Sequence, residues 1–132
     1  MSMSDPIADM FNRIKNAQMV LQKTTDVPFS RLNYHIAEIL KREGFILDVK
    51  KRGKKPHQML RISLKYNENK QPALSAFKRI SKPSRRVYKG AKKIFPVKNG
   101  YGIAIISTTA GLLTDKQARK NKLGGEVIVE VW

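Results

Sequence analysis

The sequence predicts an α+β protein made of two small modules. Up to Gly44 the apolar residues recur mainly at helical spacing, and beyond it they fall mostly into short strand-like runs. A polar, turn-rich stretch, Asn67-Glu68-Asn69-Lys70-Gln71-Pro72, divides the chain. Residues 1–66 are expected as a helix-strand-helix-strand-strand unit, 67–72 as a linker, and 73–132 as a mainly β unit with one short helix.

Asp5-Pro6 predicts the first helix start, with Asp5 as cap and Pro6 at the first helical position. Asp9 adds negative charge to the first turn, where the helix dipole favours it. Ile7, Met10, Phe11, Ile14 and Leu21 make one apolar face, and Asn12, Arg13, Lys15 and Asn16 lie largely on other sides. Asp26-Val27-Pro28-Phe29 reads as a short extended piece. Ser30 caps a second helix whose buried face is Leu32, Ile36, Ile39 and Leu40, and Gly44 stops it. Phe45–Lys51 and Met59–Tyr66 read as strands flanking a basic hairpin loop, Arg52 to His57. In the second strand Leu60, Ile62, Leu64 and Tyr66 alternate with Arg61, Ser63 and Lys65, as a sheet with one buried face requires. In the second module strands are expected at 74–80, 86–88, 103–108 and 126–132, and a helix at about 115–121.

Charge bounds the function. The chain has 132 residues, 27 Lys plus Arg against 10 Asp plus Glu, and a formal net charge of +17. Such an excess repels itself in a folded chain and calls for an anionic partner. Nucleic acid is the usual one and an anionic membrane surface the rival. The absence of cysteine excludes disulfides, thiolate metal sites and cysteine nucleophiles. No apolar run approaches the roughly 20 residues of a membrane span. The N-terminus has neither a basic start nor an apolar signal core, so an intracellular, soluble protein is expected.

Four basic clusters are spread along the chain: Arg52/Lys54/Lys55, Lys78/Arg79/Lys82, Arg85/Arg86/Lys89/Lys92/Lys93 and Lys116/Arg119/Lys120/Lys122. One cluster is usually a solvated face; four in a short chain favour neutralisation of phosphates. Between Ser81 and Tyr88, Pro83 fixes a turn. Arg86 and Tyr88, two apart on an expected strand, would share a face suited to a phosphate and an unstacked base. The alternative is a core-edge tyrosine. A buried run, Ile103 to Ile106, ends in three hydroxyls, Ser107, Thr108 and Thr109, followed by a turn glycine, Gly111, and a helix start at Thr114 or Asp115. Those hydroxyls either cap the turn or read a polyanion by hydrogen bond. Gly124-Gly125 is too short for a nucleotide loop; it allows a tight turn or a close approach. Two histidines and unpaired carboxylates give no metal site, no cofactor site and no acid–base pair.

The ordered motifs carry a resemblance. Ser4-Asp5-Pro6-Ile7-Ala8-Asp9-Met10 with Arg13-Ile14-Lys15-Asn16-Ala17 opens it, and Lys41-Arg42-Glu43-Gly44-Phe45-Ile46 follows. Ile80-Ser81-Lys82-Pro83, Arg86-Val87-Tyr88, Gly102 to Thr108 and Gly124-Gly125-Glu126-Val127 complete it. Over essentially its full length the chain resembles the family of small-subunit ribosomal protein number eight, of bacterial or organellar type. The resemblance implies a non-enzymatic, two-module protein, monomeric when free, that binds the central domain of small-subunit ribosomal RNA and supports its assembly beside neighbouring ribosomal proteins. It implies RNA contacts at Ser107, Thr108 and Thr109, at Arg86 and Tyr88, and at the Gly124-Gly125-Glu126 turn, with lysines such as Lys82 holding phosphate. Arg13, Lys15 and Asn16 would meet a neighbouring RNA segment. It further implies a place in the cytoplasmic or organellar ribosome, and for bacterial members repression of their own operon's message. The family usually has glycine after Pro83; Ser84 here makes a type I turn the expectation. Ala110 stands where relatives often carry lysine. A nucleoid-type DNA-binding module is the rival that charge alone would allow.

Overall fold

The computed structural model describes residues 4–132. Met1 to Met3, which begin the stretch read above as lacking a signal, lie outside the described residues. The chain divides into two units: Pro6–Ser75, and Ala76–Trp132, with which Asp5 is grouped. Both mix helix and sheet, so the fold is α+β.

The first unit contains α1 (Pro6–Met19), β1 (Thr24–Pro28), α2 (Arg31–Arg42), β2 (Ile46–Arg52) and β3 (Met59–Leu64). α1 buries Ile7, Met10, Phe11, Ile14 and Ala17, spaced to fall on one face. Leu21 drops off that face. The helix closes when Gln22 N–H donates to Ala17 O at 3.0 Å, and Leu21 takes a left-handed φ of 58°. α2 is capped as its sequence indicates: Ser30 Oγ accepts from Asn33 N–H at 3.0 Å. It ends in a Schellman turn, with Gly44 at φ 84° and Phe45 N–H donating to Leu40 O at 2.8 Å. Leu32, expected in its buried face, is exposed, and Asn33 is buried instead.

β1, β3 and β2 form an antiparallel sheet in that order. Its inner face presents Val27, Leu60 and Ile62, all fully buried along with Phe11, Ile14, Ile36 and Leu40. Each such side chain contributes about 1.5–3 kcal/mol of burial. Asp26 faces Arg61 across β1 and β3, and the guanidinium donates to both carboxylate oxygens at 2.9 and 3.1 Å. These bonds hold the Asp26 carboxyl below its ordinary range.

The polar stretch 67–72 is an ordered turn inside this unit. Asn67 Oδ1 accepts from the N–H of Asn69 at 2.8 Å and of Gln71 at 2.9 Å, and Tyr66 pairs with Pro72. The next residues are tied to α1: Leu74 is fully buried, its carbonyl accepting from Gln18 Nε2 at 2.9 Å. The strand expected at 74–80 therefore shrinks to β4 (Phe77–Arg79).

The second unit continues with β5 (Tyr88–Lys89), β6 (Ile103–Thr108), β7 (Gly111–Thr114), α3 (Asp115–Asn121) and β8 (Gly125–Val131), with 3-10 turns at Ala91–Lys93 and Lys98–Gly100. The sheet order is β4-β8-β6-β7, and β5 also pairs with β8. Ala104, Ile106 and Val127 pack with Ile94, Val97 and Ala118 on one face. α3 starts in a capping box between Thr114 and Gln117. Asp115 is buried; its carboxylate accepts from Ala104 N–H at 3.0 Å and from Arg119 at 2.8 Å, fastening the helix to β6.

β8 is irregular at one point. Ile105 faces Val129 but Ile106 faces Val127, so Ile128 is an extra residue, a β-bulge. Its carbonyl accepts from Ile80 N–H at 3.1 Å and from the Arg79 guanidinium at 2.5 Å. Arg79, counted above in a basic cluster, is thus turned inward and is also paired with Asp5 at 3.2 Å. β8 enters the sheet through two glycines that leave no room for a side chain. A Cβ on Gly124 would lie 2.5 Å from Lys89 O, and one on Gly125 would lie 2.0 Å from Ser107 O.

Two outcomes follow. Gly125→Ala must separate β8 from β6, and urea denaturation should show a loss of about 1–3 kcal/mol. Asp26→Asn removes a group whose folded pKa lies below its unfolded one. Its stabilisation is present above about pH 4 and lost as pH falls through the folded value. The pair is partly exposed, so at pH 7 the variant should lose no more than about 1 kcal/mol. At pH 3 the gap from the parent should narrow.

Candidate nucleic-acid interface

The bulge decides which side chains meet at the end of β6. Beyond it Ser107 faces Glu126, and Glu126 faces Tyr88 on β5. Without the extra residue Ser107 would face Val127. Directly opposed residues of antiparallel strands project from the same face. Tyr88, Glu126 and Ser107 therefore form a row across three strands. The row continues the face of Ile103 and Ile105, which are buried. The platform is buried where it is apolar and opens to solvent where it turns polar.

Tyr88 is 70% exposed, which settles its alternative reading: it is not a core-edge residue. Glu126 is held from two sides. The fully buried Ser81 donates its hydroxyl to Glu126 Oε2, and Arg86 donates to the same oxygen at 3.2 Å. Arg86 and Tyr88 do not share a strand as expected. Ser81 Oγ accepts the N–H of Val87 at 3.1 Å, so pairing with β8 begins as a ladder only at Tyr88. Both side chains still converge on Glu126, one by ion pair and one by strand register. The acid is neutralised where it stands, so the row carries little net charge.

The three hydroxyls have separate roles. Thr108 Oγ1 accepts from Ala110 N–H at 3.0 Å and donates to Gly111 O at 2.8 Å, closing the β6–β7 hairpin. Gly111 sits at φ 96°, the left-handed region that glycine enters without strain. Among the described residues, neither Ser107 nor Thr109 directs its hydroxyl to an internal partner. Ser107 lies in the row, and Thr109 is exposed at the hairpin tip. Gly124 and Gly125 are accounted for by the close approach of the strands. Lys82 and Arg85 bracket the Pro83-Ser84 turn with reciprocal backbone bonds of 2.8 and 3.0 Å. Ser84 does not take a positive φ, so the turn is not type II and the glycine usual at that place is not needed.

Arg13, Lys15 and Asn16 belong to the first unit. Arg13 donates to Asp26 O at 3.1 Å and Lys15 to Ser75 O, so both cations have backbone acceptors. Asn16 is exposed on a groove of about 250 Å³ shared with Arg13, Gln22 and Thr25.

Sequence reasoning missed Ser81 as the hub of the Glu126 network. It also missed Phe95 and Tyr101, which are 66% and 88% exposed among Lys92, Lys93 and Lys98. The signal for these rings was present: they break the apolar spacing of Ile94 and Val97, which are buried. Among the described residues no three His, Cys, Asp or Glu side chains could hold a metal ion. No helix among them is long and apolar enough to cross a membrane.

Known proteins resemble the chain from end to end. The family described as Ribosomal protein S8 matches residues 5–132. The small ribosomal subunit protein uS8 of Geobacter sulfurreducens is 50% identical over 132 residues, covering 100% of both chains. Its counterparts in Tropheryma whipplei and Bacillus mycoides are 52% and 50% identical with the same coverage. The chain belongs to the Ribosomal protein S8 family, a family of structural ribosome components and not of enzymes.

Proposed function

We propose that the chain binds the central domain of small-subunit ribosomal RNA directly and supports its assembly within the ribosome of the cytoplasm. The observation that carries this reading is the row of Tyr88, Glu126 and Ser107: an exposed ring and a hydroxyl without an internal partner on a locally neutral sheet end in a chain of charge +17. Duplex RNA hides its major groove, so proteins read its minor groove, its unstacked bases and its 2′-hydroxyls. A serine hydroxyl can donate to and accept from a 2′-hydroxyl or a base edge at close range. Tyr88 supplies a face for an unstacked base. Thr109 and Lys82 lie on exposed turns of the same unit, where they would extend the contact. Arg13, Lys15 and Asn16 would approach a further RNA segment from the first unit.

The same surface would accept a copy of that RNA structure in the chain's own operon message and so repress its translation. Neighbouring small-subunit proteins complete the set of partners. The free chain is a monomer.

The test uses a central-domain RNA fragment, with a regular RNA duplex and a DNA duplex of equal length as competitors. Ser107→Ala should weaken the fragment by about 1–3 kcal/mol and the duplexes little, by analogy with a lost specific base contact. Thr108→Ala should act on stability instead, by about 1 kcal/mol, because its hydroxyl closes the hairpin. Equal losses on all three nucleic acids for Ser107→Ala would remove the row from specific recognition.

Tyr88 gives the sharper outcome. Tyr88→Phe should bind nearly as the parent does, and Tyr88→Ala should lose about 1–3 kcal/mol, the worth of one stacked base. Affinity should fall steeply with salt, with a slope matching roughly five to eight phosphate contacts. A flat salt response in filter binding would remove the RNA-binding reading.

A further inference from the structure

The first unit carries a groove that none of the residues above explains. It has a volume of about 350 Å³ and lies where β1 turns into α2, against the β2–β3 loop. Phe29 and Tyr34 supply two ring faces, with centroids 6.4 Å apart and planes tilted by 42°. Phe29 is fixed by its N–H, which donates to Gln58 O at 3.0 Å. Arg31, Lys51 and Lys55 add three exposed cations, and His35, which meets Glu38 at 3.4 Å, adds a further ring; among the described residues no carboxylate lines the groove. Lys51 Nζ lies over both rings, 4.6 Å from the Tyr34 centroid and 5.4 Å from that of Phe29.

We propose that this groove is a second nucleotide site, seating one unpaired RNA base with its phosphate. Its chemistry asks for a ligand with a flat face and negative charge. The rings offer stacking, which tolerates any base because every base has a π face. The cations at the rim suit one phosphate. The volume is at the small end of ligand sites, about 300–1,000 Å³, and fits a single nucleotide rather than a helix. Lys51 is an exposed cation on a flexible stem. It rests on the rings while they are free and moves to the phosphate when a base covers them. An acidic peptide matches the charge but brings no flat face for the rings. The proposal rests on the reading of the chain as an RNA-binding protein, yet it uses none of the residues that carry that reading.

The experiment titrates the full chain with adenosine monophosphate and with a short single-stranded oligoadenylate, following backbone amide shifts. Saturating shifts are expected at Phe29, Tyr34 and Gln58. Tyr34→Leu should weaken the oligonucleotide about tenfold, the scale of one lost stack, and Tyr34→Phe should not. Lys51→Gln should weaken it about threefold and lower the salt slope by about one contact. If Tyr34→Leu unfolds the chain, the exposed Arg31→Gln and Lys51→Gln variants decide the matter alone. Unmoved amides at Phe29, Tyr34 and Gln58 would overturn the proposal. So would equal shifts from an oligoglutamate of matched charge, which would make the groove a dock for acidic protein segments. Tyr88→Ala serves as the reference. It should leave the groove shifts intact, so the two sites can fail independently.

Discussion

One extra residue in β8 organises the second unit. Ile128 lets a central strand present Val129 and Val131 to one face, then Val127 to the other, and then Glu126 back to the first. A regular strand cannot do this, because its side chains alternate with period two. The bulge is held from outside the ladder: the Ile128 carbonyl receives both Ile80 N–H and the buried Arg79 guanidinium. Arg79 in turn is balanced by Asp5. A charged side chain so nearly removed from water needs such partners. The polar row at the sheet end thus depends on a buried cation and on one residue out of register.

Acids are scarce in this chain and most of them are committed to positions. Asp26 faces Arg61, Asp48 meets Lys41 at 2.9 Å, Asp115 meets Arg119, and Glu126 meets Arg86. Each pair links two strands, a helix to a strand, a loop to a strand, or successive turns of one helix. The positive excess is what remains after this internal pairing, and it is displayed mainly on exposed lysines.

What was legible in the sequence was local. Both long helices, the Ser30 cap, the Gly44 stop and the strand Ile103–Thr108 follow from spacing and turn chemistry, and each is found in place. The turn expected at Pro83 is in place between Lys82 and Arg85, and Ser84 avoids the positive φ that type II demands. What failed was set by distant hydrogen bonds. Ser81 takes the N–H of Val87 and delays the strand expected at Arg86. Gln18 takes the Leu74 carbonyl and holds that residue to α1. The four-residue strand Gly111–Thr114 was hidden between a recognised turn and a recognised helix start. Of the candidate contacts, Tyr88 and Ser107 could be named from residue type, but their alignment through Glu126 comes from a bulge that leaves no mark in composition. Thr108 could be named too, yet only the hairpin geometry reveals that its hydroxyl is already spent.

The pairing of Arg86 with Glu126 has a kinetic consequence. Long-range attraction acts on the summed charge of the molecule and sets how often a polyanion arrives. The row itself is locally neutral, so it adds little to that field. In the proposed RNA-binding reading its ring and hydroxyl would act only after contact, over the few ångströms in which stacking and hydrogen bonding operate. Capture and discrimination would then fall to different atoms. Dispersed lysines would govern the arrival rate for any nucleic acid, and the neutral row would govern how long the right one stays.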